Sequence, residues 1–212
     1  MSADLRPVLR SSQVLGLIAV VVAALLGGIY MLTVDRIRAA ENERLLLQLR
    51  DVLPQGSFDN DIAADRIEVT AAALDGERPV VVYRARRDRQ PVAAVLTVTA
   101  ADGYSGPIRL LVGIGSDGRI TGVRVAAHRE TPGLGDRIDS RRSDWILGFD
   151  GRSLHDPSGK GWGVKKDGGV FDQFAGATIT PRAVVKAVHR SLEYFEQNRD
   201  ALFAVAPGGS SP

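Results

Sequence analysis

Cysteine is absent from the 212-residue sequence. Its absence excludes disulfides, thiolate nucleophiles, iron–sulfur clusters and cysteine-ligated zinc sites. Histidine is nearly as scarce, with three residues at positions 128, 155 and 189 and no HxH or HExxH spacing between them. No metal site is predicted, so any redox chemistry is expected to come from a bound organic cofactor.

Basic runs are missing as well. The formal net charge is only +2, from 27 basic and 25 acidic residues, and no basic–aromatic patch appears, so nucleic-acid binding is not predicted. No Gly-x-Gly-x-x-Gly sequence lies between a predicted strand and a predicted helix, which leaves the chain without a nicotinamide-binding fingerprint. The 44% hydrophobic and 25% charged residues that are present suit one medium domain plus an anchor.

One long stretch of the sequence carries no charge. Residues 14–34 read VLGLIAVVVAALLGGIYMLTV, and about 20 helical residues at ~1.5 Å each match the ~30 Å hydrocarbon layer of a membrane. A cleaved signal peptide would have a shorter apolar region followed by a small-residue cleavage site, and MLTVDRIR offers no good site. The sequence therefore predicts one retained transmembrane helix.

The flanks of this run suggest an orientation. Residues 1–13 are too few to form a domain and are predicted to be a short cytoplasmic N-terminus. Arginines flank both ends of the run, which gives a slight preference for the N-in arrangement, and the lack of cysteine agrees with an oxidising compartment beyond it. We expect a single-pass protein of the bacterial inner membrane, with its C-terminal domain on the periplasmic side.

The rest of the chain divides into three predicted regions. Residues 35–78 are predicted to be a helical stalk and connection, in which a helix at 35–52 is ended by Pro54. Residues 79–205 are predicted to form the folded domain. The Pro/Gly/Ser-rich residues 206–212 are predicted to be a disordered tail.

Runs of β-branched and apolar residues predict four strands in the domain. They are Pro79–Tyr83, Val92–Val98, Ile108–Ile114 and Ile120–Val125. An Asp-Gly pair in the loop 115–119 predicts that the last two strands form a hairpin. Strand runs followed by helical patterns predict an α+β fold, with an antiparallel sheet and flanking helices.

Two helices are expected after the strands. A short one is predicted at Arg141–Phe149, and a longer one begins after Thr180. The longer helix has one apolar face, whose members lie four, four and three residues apart. They are Val184, Val188, Leu192 and Phe195.

The segment before the last helix suits a bound phosphate. Residues 171–180 read FDQFAGATIT and precede Pro181, which fits a first helical turn because its missing N–H costs nothing there. Thr180 is then expected at the N-cap, facing the unpaired N–H groups of the first turn. Gly176 and Ala177 leave room for a large group, whose phosphate would meet those N–H groups. Without a ligand, Thr180 would be an N-cap and nothing more.

This segment resembles the flavinylation motif of the FMN-binding domain in the G subunit of the Rnf (Rsx) electron transport complex. The C subunit of the sodium-translocating NADH:quinone reductase shares that domain. The family pattern, Asp-x-x-Ser/Thr-Gly-Ala-Thr/Ser-x-Thr, falls on Asp172, Gly176, Ala177, Thr178 and Thr180. One position departs from it, because Ala175 stands where Ser or Thr is usual.

A second motif lies earlier in the chain. Residues 128–135 read HRETPGLG and resemble the HxETPGLG loop of the same family. Trp145, Trp162 and the run VKKDGG at 164–169 are also similar to the Rnf G subunit, and both tryptophans are expected to pack in the core. With the N-terminal apolar run, the resemblance covers nearly the whole chain and identifies 79–205 as an FMN-binding domain.

The resemblance implies that FMN is attached covalently through its phosphate, by a phosphodiester to Thr180. It places Gly176, Ala177 and Thr178 beside the attachment point. Lys165 is expected to compensate the charge of the phosphodiester, although a solvated surface lysine is the plain alternative.

The HRETPGLG loop is expected to lie against the isoalloxazine ring. The predicted contacts are Glu130, Thr131, Gly133 and Leu134. Gly133 and Gly135 would allow the backbone to approach the ring closely. Without the family resemblance, the loop would be interpreted as a surface turn.

The function implied by the resemblance is that of a membrane-bound flavoprotein subunit in an Rnf-type ion-translocating oxidoreductase complex. It would transfer electrons through FMN, coupled to ion transport, and its partners would be the other membrane subunits and a flavin transferase. No catalytic residue and no complete activity are expected from this chain alone. Two alternatives are a C subunit of the quinone reductase and an anchored structural or sensing module without a cofactor.

Overall fold

The computed structural model describes residues 6–54 and 56–204. Within its first helix, the side chains at 6–14, 17, 18, 35 and 38–42 lie outside the described set. The predicted tail at 206–212 and the first five residues of the predicted cytoplasmic N-terminus lie outside it as well.

Helix α1 runs from Arg6 to Asp51. It confirms the helix predicted at 35–52 as far as residue 51. Within residues 6–54 and 56–204, the structure contains no helix long and apolar enough to cross a membrane. The transmembrane helix predicted at 14–34 is therefore not confirmed.

The chain divides into two compact units, residues 1–45 and residues 46–212. The second unit contains a sheet of five antiparallel strands in the order β1-β2-β3-β4-β5. The strands are β1 (Arg66–Thr70), β2 (Pro79–Arg87), β3 (Gln90–Ala100), β4 (Ile108–Gly115) and β5 (Ile120–Ala127). The four predicted strands are confirmed, each longer than predicted at one end or both.

β1 was not predicted, and it lies inside 35–78, the segment expected to be stalk and connection. It pairs with β2, with Ile67 opposite Val82 and Val69 opposite Val80. The sheet therefore uses residues from before position 79. Its five residues give only two apolar positions between charged and polar ones, which is too short a pattern to stand out in the sequence.

Helix α3, Ile179–Ala204, supplies the main helical face of the core. All four residues predicted on its apolar face are at most 2% exposed, as are the strand residues facing them, such as Leu96 and Val112. The short helix α2, Ala72–Asp75, adds the buried Leu74. The predicted α+β arrangement, a sheet with helices packed on it, is confirmed.

The β4–β5 hairpin confirms the turn predicted at 115–119. The Gly118 N–H donates to the Gly115 carbonyl over 2.9 Å, and Gly118 has a φ of +81°, which favours glycine. The Asp117 carboxylate accepts from the Arg119 N–H over 3.1 Å and closes the turn. The Asp-Gly pair thus sets the register that brings β5 back along β4.

A buried ion-pair cluster joins the first strands to the end of α3. Asp65 is 5% exposed and accepts from Arg84 Nε over 2.6 Å and from Arg86 Nε over 2.9 Å. The same two arginines donate to the carbonyls of Leu202, over 3.3 Å, and Phe203, over 2.9 Å. One carboxylate therefore orients two guanidinium groups that hold the C-terminal turn of the helix.

The chain between β5 and α3 forms short 3₁₀ turns. The helix predicted at 141–149 is instead a 3₁₀ helix at Asp144–Phe149. It begins after Ser143, whose hydroxyl caps it by accepting from the Trp145 N–H over 3.3 Å. Trp145 and Trp162 both pack against other aromatic rings, as predicted. Trp145 lies edge-on to Phe149 at 5.4 Å between ring centroids.

Candidate functional site

A cavity of about 340 Å³ opens at the N-terminal end of α3. Its volume lies within the range of roughly 300–1,000 Å³ that small-molecule sites occupy. Three segments line it: the β3–β4 connection, the loop after β5, and the turn that leads into α3. The lining residues are Tyr104, Glu130, Thr131, Leu134, Gly135, Gly176, Ala177, Thr178, Ile179 and Thr180.

The carboxylate of Glu130 is the centre of the hydrogen bonding at this cavity. Its side chain is only 4% exposed. One oxygen, Oε1, accepts from the Ser105 N–H over 3.0 Å, and the other, Oε2, accepts from the Thr180 hydroxyl over 2.5 Å. Glu130 therefore joins all three segments that line the cavity.

Thr180 does not occupy the N-cap that the sequence suggested. Helix α3 begins at Ile179, and the Arg182 N–H donates to the Thr178 carbonyl over 3.4 Å, so Thr178 precedes the helix. Thr180 lies in the first turn with Pro181 next to it. A proline fits any position of a first turn because no N–H there has a partner within the helix, so its presence does not fix the cap.

The Thr180 side chain has no exposed surface, although it belongs to the wall of the cavity. Its hydroxyl donates to Glu130 instead of accepting from the helix N–H groups. The Thr180 hydroxyl therefore does not cap the helix, whose first N–H groups have no partner within the helix and lie at the positive end of its dipole.

Gly135 lets the loop after β5 approach this hydrogen bond closely. A Cβ atom at Gly135 would come within 2.7 Å of Glu130 Oε2 and 2.9 Å of Thr180 Oγ1. On the other side of the carboxylate, a Cβ at Gly103 would come within 2.2 Å of the Gly106 carbonyl and 3.0 Å of Glu130 Oε1. Two glycines therefore flank the buried carboxylate, and each leaves space that a side chain would fill.

We expect Gly135→Ala to lower the free energy of unfolding by about 1–3 kcal/mol, because the new methyl group displaces the Glu130 carboxylate from Thr180. Urea unfolding of the full chain would measure the change. Gly163→Ala is the matched control, since its Cβ would meet no atom closer than 3.7 Å, and a change under about 1 kcal/mol is expected. Equal effects of the two substitutions would contradict this account.

The turn before α3 provides the open space expected from its small residues. Gly176 has a φ of +77°, and the Ala177 N–H donates to the Phe174 carbonyl over 3.1 Å. A Cβ at Gly176 would lie 3.8 Å from the Leu134 side chain across the cavity. The two motifs singled out in the sequence therefore face each other.

Seven of the nine predicted site residues line the cavity, and Gly133 and Lys165 do not. Gly133 serves the loop itself, with a φ of +78°. The Lys165 ammonium instead pairs with the Asp172 carboxylate over 2.6 Å, and both side chains are largely exposed. A role for Lys165 in compensating a phosphodiester gains no support from this placement.

The segment of Lys165 is nevertheless tied to the first turn of α3. Arg182 donates to both carboxylate oxygens of Asp167, over 2.5 and 2.6 Å. These hydrogen bonds hold the pKa of the Asp167 carboxyl below its usual value, so the pair is charged at neutral pH.

His128, at the end of β5, accepts from the Glu130 N–H over 3.1 Å and so shapes the loop rather than the cavity wall.

Two lining residues, Tyr104 and Ile179, were not predicted. Tyr104 lies between Gly103 and Gly106 in a segment that has the composition of an ordinary turn, and its ring is exposed. Ile179 occupies the unspecified position of the motif. The packing of a distant segment brings Tyr104 to the cavity, whereas Ile179 is there because it lies between Thr178 and Thr180.

Comparison with known proteins identifies the family of this chain. Residues 103–193 match the FMN-binding domain family, and residues 1–52 match the RnfG N-terminal region. The chain is 50% identical over 204 residues to the G subunit of the ion-translocating oxidoreductase complex of Pseudomonas aeruginosa, covering 96% of this chain and 95% of that protein. The chain belongs to the RnfG family.

Other members of the RnfG family show the same extent of similarity. The G subunit of Pseudoalteromonas atlantica is 46% identical over 198 residues, covering 93% of this chain and 92% of that protein. The Vibrio cholerae protein is 45% identical over 193 residues, covering 91% and 92%. The match to the FMN-binding domain includes every segment that lines the cavity, so the cavity lies within that domain.

Proposed function

We propose that this chain carries electrons within an ion-translocating oxidoreductase complex, through FMN joined covalently to the hydroxyl oxygen of Thr180. The observation that carries the proposal is the position of that hydroxyl. It lies in the wall of the cavity, in the first turn of a 26-residue helix. FMN accepts two electrons and releases them one at a time, which allows it to connect two-electron and one-electron partners.

The helix start suits the phosphate of the cofactor. N–H groups of a first turn have no partners within the helix, and the dipole favours an anion there by about 0.3–1 kcal/mol. Gly176 and Ala177 border the same space without bulky side chains. The helix start and these two small residues therefore leave room for a phosphate ester at Thr180.

The mouth of the cavity suits the ring system. Tyr104, Leu134 and Ile179 line it and are exposed apolar or aromatic side chains. Exposed groups of this kind gather at binding sites, where a ligand covers them. An isoalloxazine ring packed on them would keep one edge open to redox partners, which electron transfer between subunits requires.

A membrane anchor at 14–34 and a periplasmic C-terminal domain are part of the proposal. The uncharged sequence of that run supports it, and so does the match of residues 1–52 to the RnfG N-terminal region. The proposed partners are the other membrane subunits of the complex and a flavin transferase that attaches FMN. The relatives are named as G subunits, which favours this interpretation over a C subunit of the quinone reductase.

Peptide mapping of the protein purified from its native membrane tests the proposal. Trypsin releases residues 167–182 as one peptide, which contains Thr178 and Thr180. We expect this peptide to be fluorescent, with a mass higher by one FMN less one water, and fragmentation should place the addition on Thr180. An unmodified, colourless peptide would refute the covalent attachment and favour a structural role for the Thr180 hydroxyl.

A further inference from the structure

A carboxylate lies beside the Thr180 hydroxyl, which is unexpected if that hydroxyl becomes esterified with a phosphate. Glu130 is nearly fully buried, and its Oε2 lies 2.5 Å from Thr180 Oγ1. A site built only to hold a phosphate would favour N–H groups and cations, because two like charges so close repel each other. Glu130 is therefore not suited to bind the phosphate, and its place beside the hydroxyl calls for another role.

The orientation of the carboxylate is fixed from its far side. The Ser105 N–H donates to Oε1 over 3.0 Å, which leaves Oε2 directed at the Thr180 hydroxyl. Gly103 and Gly135 lie against the two oxygens so closely that a Cβ at either position would reach within 3.0 Å of one of them. A general base must lie within hydrogen-bond reach of the proton that it takes, about 2.6–3.2 Å between heavy atoms, and Glu130 Oε2 is held within that reach of the Thr180 hydroxyl.

We propose that Glu130 is the general base that activates Thr180 for its own modification. This inference rests on the covalent attachment proposed above and adds the residue that makes the threonine reactive. A threonine hydroxyl is a weak nucleophile at neutral pH, and an adjacent base within hydrogen-bond reach is the usual means of activating one.

The proposed step balances with a flavin dinucleotide as the FMN donor. Thr180 Oγ1 forms a bond to the phosphorus on the flavin side of the pyrophosphate, and the bond from that phosphorus to the bridging oxygen breaks. The other nucleotide leaves as its monophosphate. The hydroxyl proton passes to Glu130 Oε2 and from there to solvent. No electron is gained or lost, so the step needs neither an oxidant nor a reductant.

The test compares Glu130→Gln with the full chain without substitutions. Each protein is purified from a host without flavin transferase and incubated with flavin adenine dinucleotide and the transferase. Intact mass against time then gives the initial rate of FMN attachment. We expect the rate to fall by at least about a hundredfold, the lower end of what general base catalysis contributes. Glutamine keeps the size of the side chain and one acceptor oxygen, but it cannot take up the proton.

Two further variants separate proton transfer from a purely structural role. Glu68→Gln makes the same chemical change on the exposed face of β1, and we expect it to gain FMN at the rate of the chain without substitutions. Glu130→Ala leaves space in which added formate can act as the base, so we expect its rate to rise with formate concentration. If the Glu130 carboxylate only held the loop in place, formate would not restore the rate of FMN attachment to Glu130→Ala.

The outcomes are distinct. The role of Glu130 would be overturned if Glu130→Gln gained FMN within about threefold of the rate of the chain without substitutions and had the same thermal unfolding midpoint. The covalent attachment would remain supported in that case. Failure of formate to raise the rate of Glu130→Ala would count against the role in the same way. If the chain without substitutions shows no increase in mass from FMN, both this inference and the proposed attachment fail.

Discussion

Thr180→Val is expected to abolish covalent FMN completely, because valine has the shape of threonine without the oxygen that would bear the ester. The side chain at position 180 has no exposed surface, so an isosteric residue is needed to keep the packing of the first turn. Loss of the hydroxyl also removes the partner of Glu130 Oε2, while Oε1 keeps the Ser105 N–H. A stability cost of about 1–3 kcal/mol is expected from that loss.

The measurement is the intact mass of each variant after co-expression with a flavin transferase, together with in-gel fluorescence. Thr178→Val removes the other hydroxyl of the motif while leaving the proposed acceptor, and its FMN increment is expected to persist. Thr180→Ser restores a hydroxyl at the same position and should recover modification at least in part. An FMN increment on Thr180→Val, or its loss on Thr178→Val alone, would contradict attachment at Thr180.

Asp65→Asn is expected to lower the free energy of unfolding by about 3–5 kcal/mol, the largest stability effect we anticipate in this chain. Removing the charge leaves Arg84, which is fully buried, and Arg86 without the carboxylate between them. A guanidinium in a low-dielectric surrounding is costly unless a nearby anion compensates it. The same change loosens the last turn of α3, since both arginines also donate to its carbonyls.

Urea unfolding of the full chain, followed by tryptophan fluorescence, would measure this loss. Both tryptophans of the sequence, Trp145 and Trp162, pack against the hydrophobic core, so the signal reports on the domain. Asp75→Asn is the matched control, because Asp75 pairs with an exposed arginine, Arg78, and such a pair contributes at most about 1 kcal/mol. A similar loss for both variants would show that burial of the Asp65 cluster is not what stabilises it.

Much of the fold could be predicted because its signals are local. The four longer strands are rich in β-branched residues, the Asp-Gly turn fixes one hairpin, and the 3.6-residue period identifies the buried face of α3. β1 could not be predicted, because five residues with two apolar positions gain their strand conformation from pairing with β2. The order of strands and the ion pairs at Asp65 depend on such distant contacts as well.

The site was predicted in part for the same reason. Two motifs indicated most of the residues that line the cavity, yet nothing in either motif states that Glu130 touches Thr180 across 50 positions of sequence. Instead, Glu130 was expected to contact the ring, and Thr180 was expected to cap the helix. Both expectations treated each motif alone, whereas their hydrogen bond arises from packing three segments together. The role of Lys165 stays a prediction, since its side chain pairs with Asp172 and is not among the residues that line the cavity.

The sequential order of the sheet has a consequence for when the acceptor becomes available during biosynthesis. Among the described residues, every strand pairs only with its neighbours in the chain, so all the strand partners are synthesised before α3. The threonine at position 180 arrives only with that final helix and meets Glu130 only once the earlier loops are in place. A chain terminated before residue 179 would lack both the helix that covers the sheet and the residue that would receive the flavin. Pigmentation would then distinguish finished molecules from prematurely ended ones.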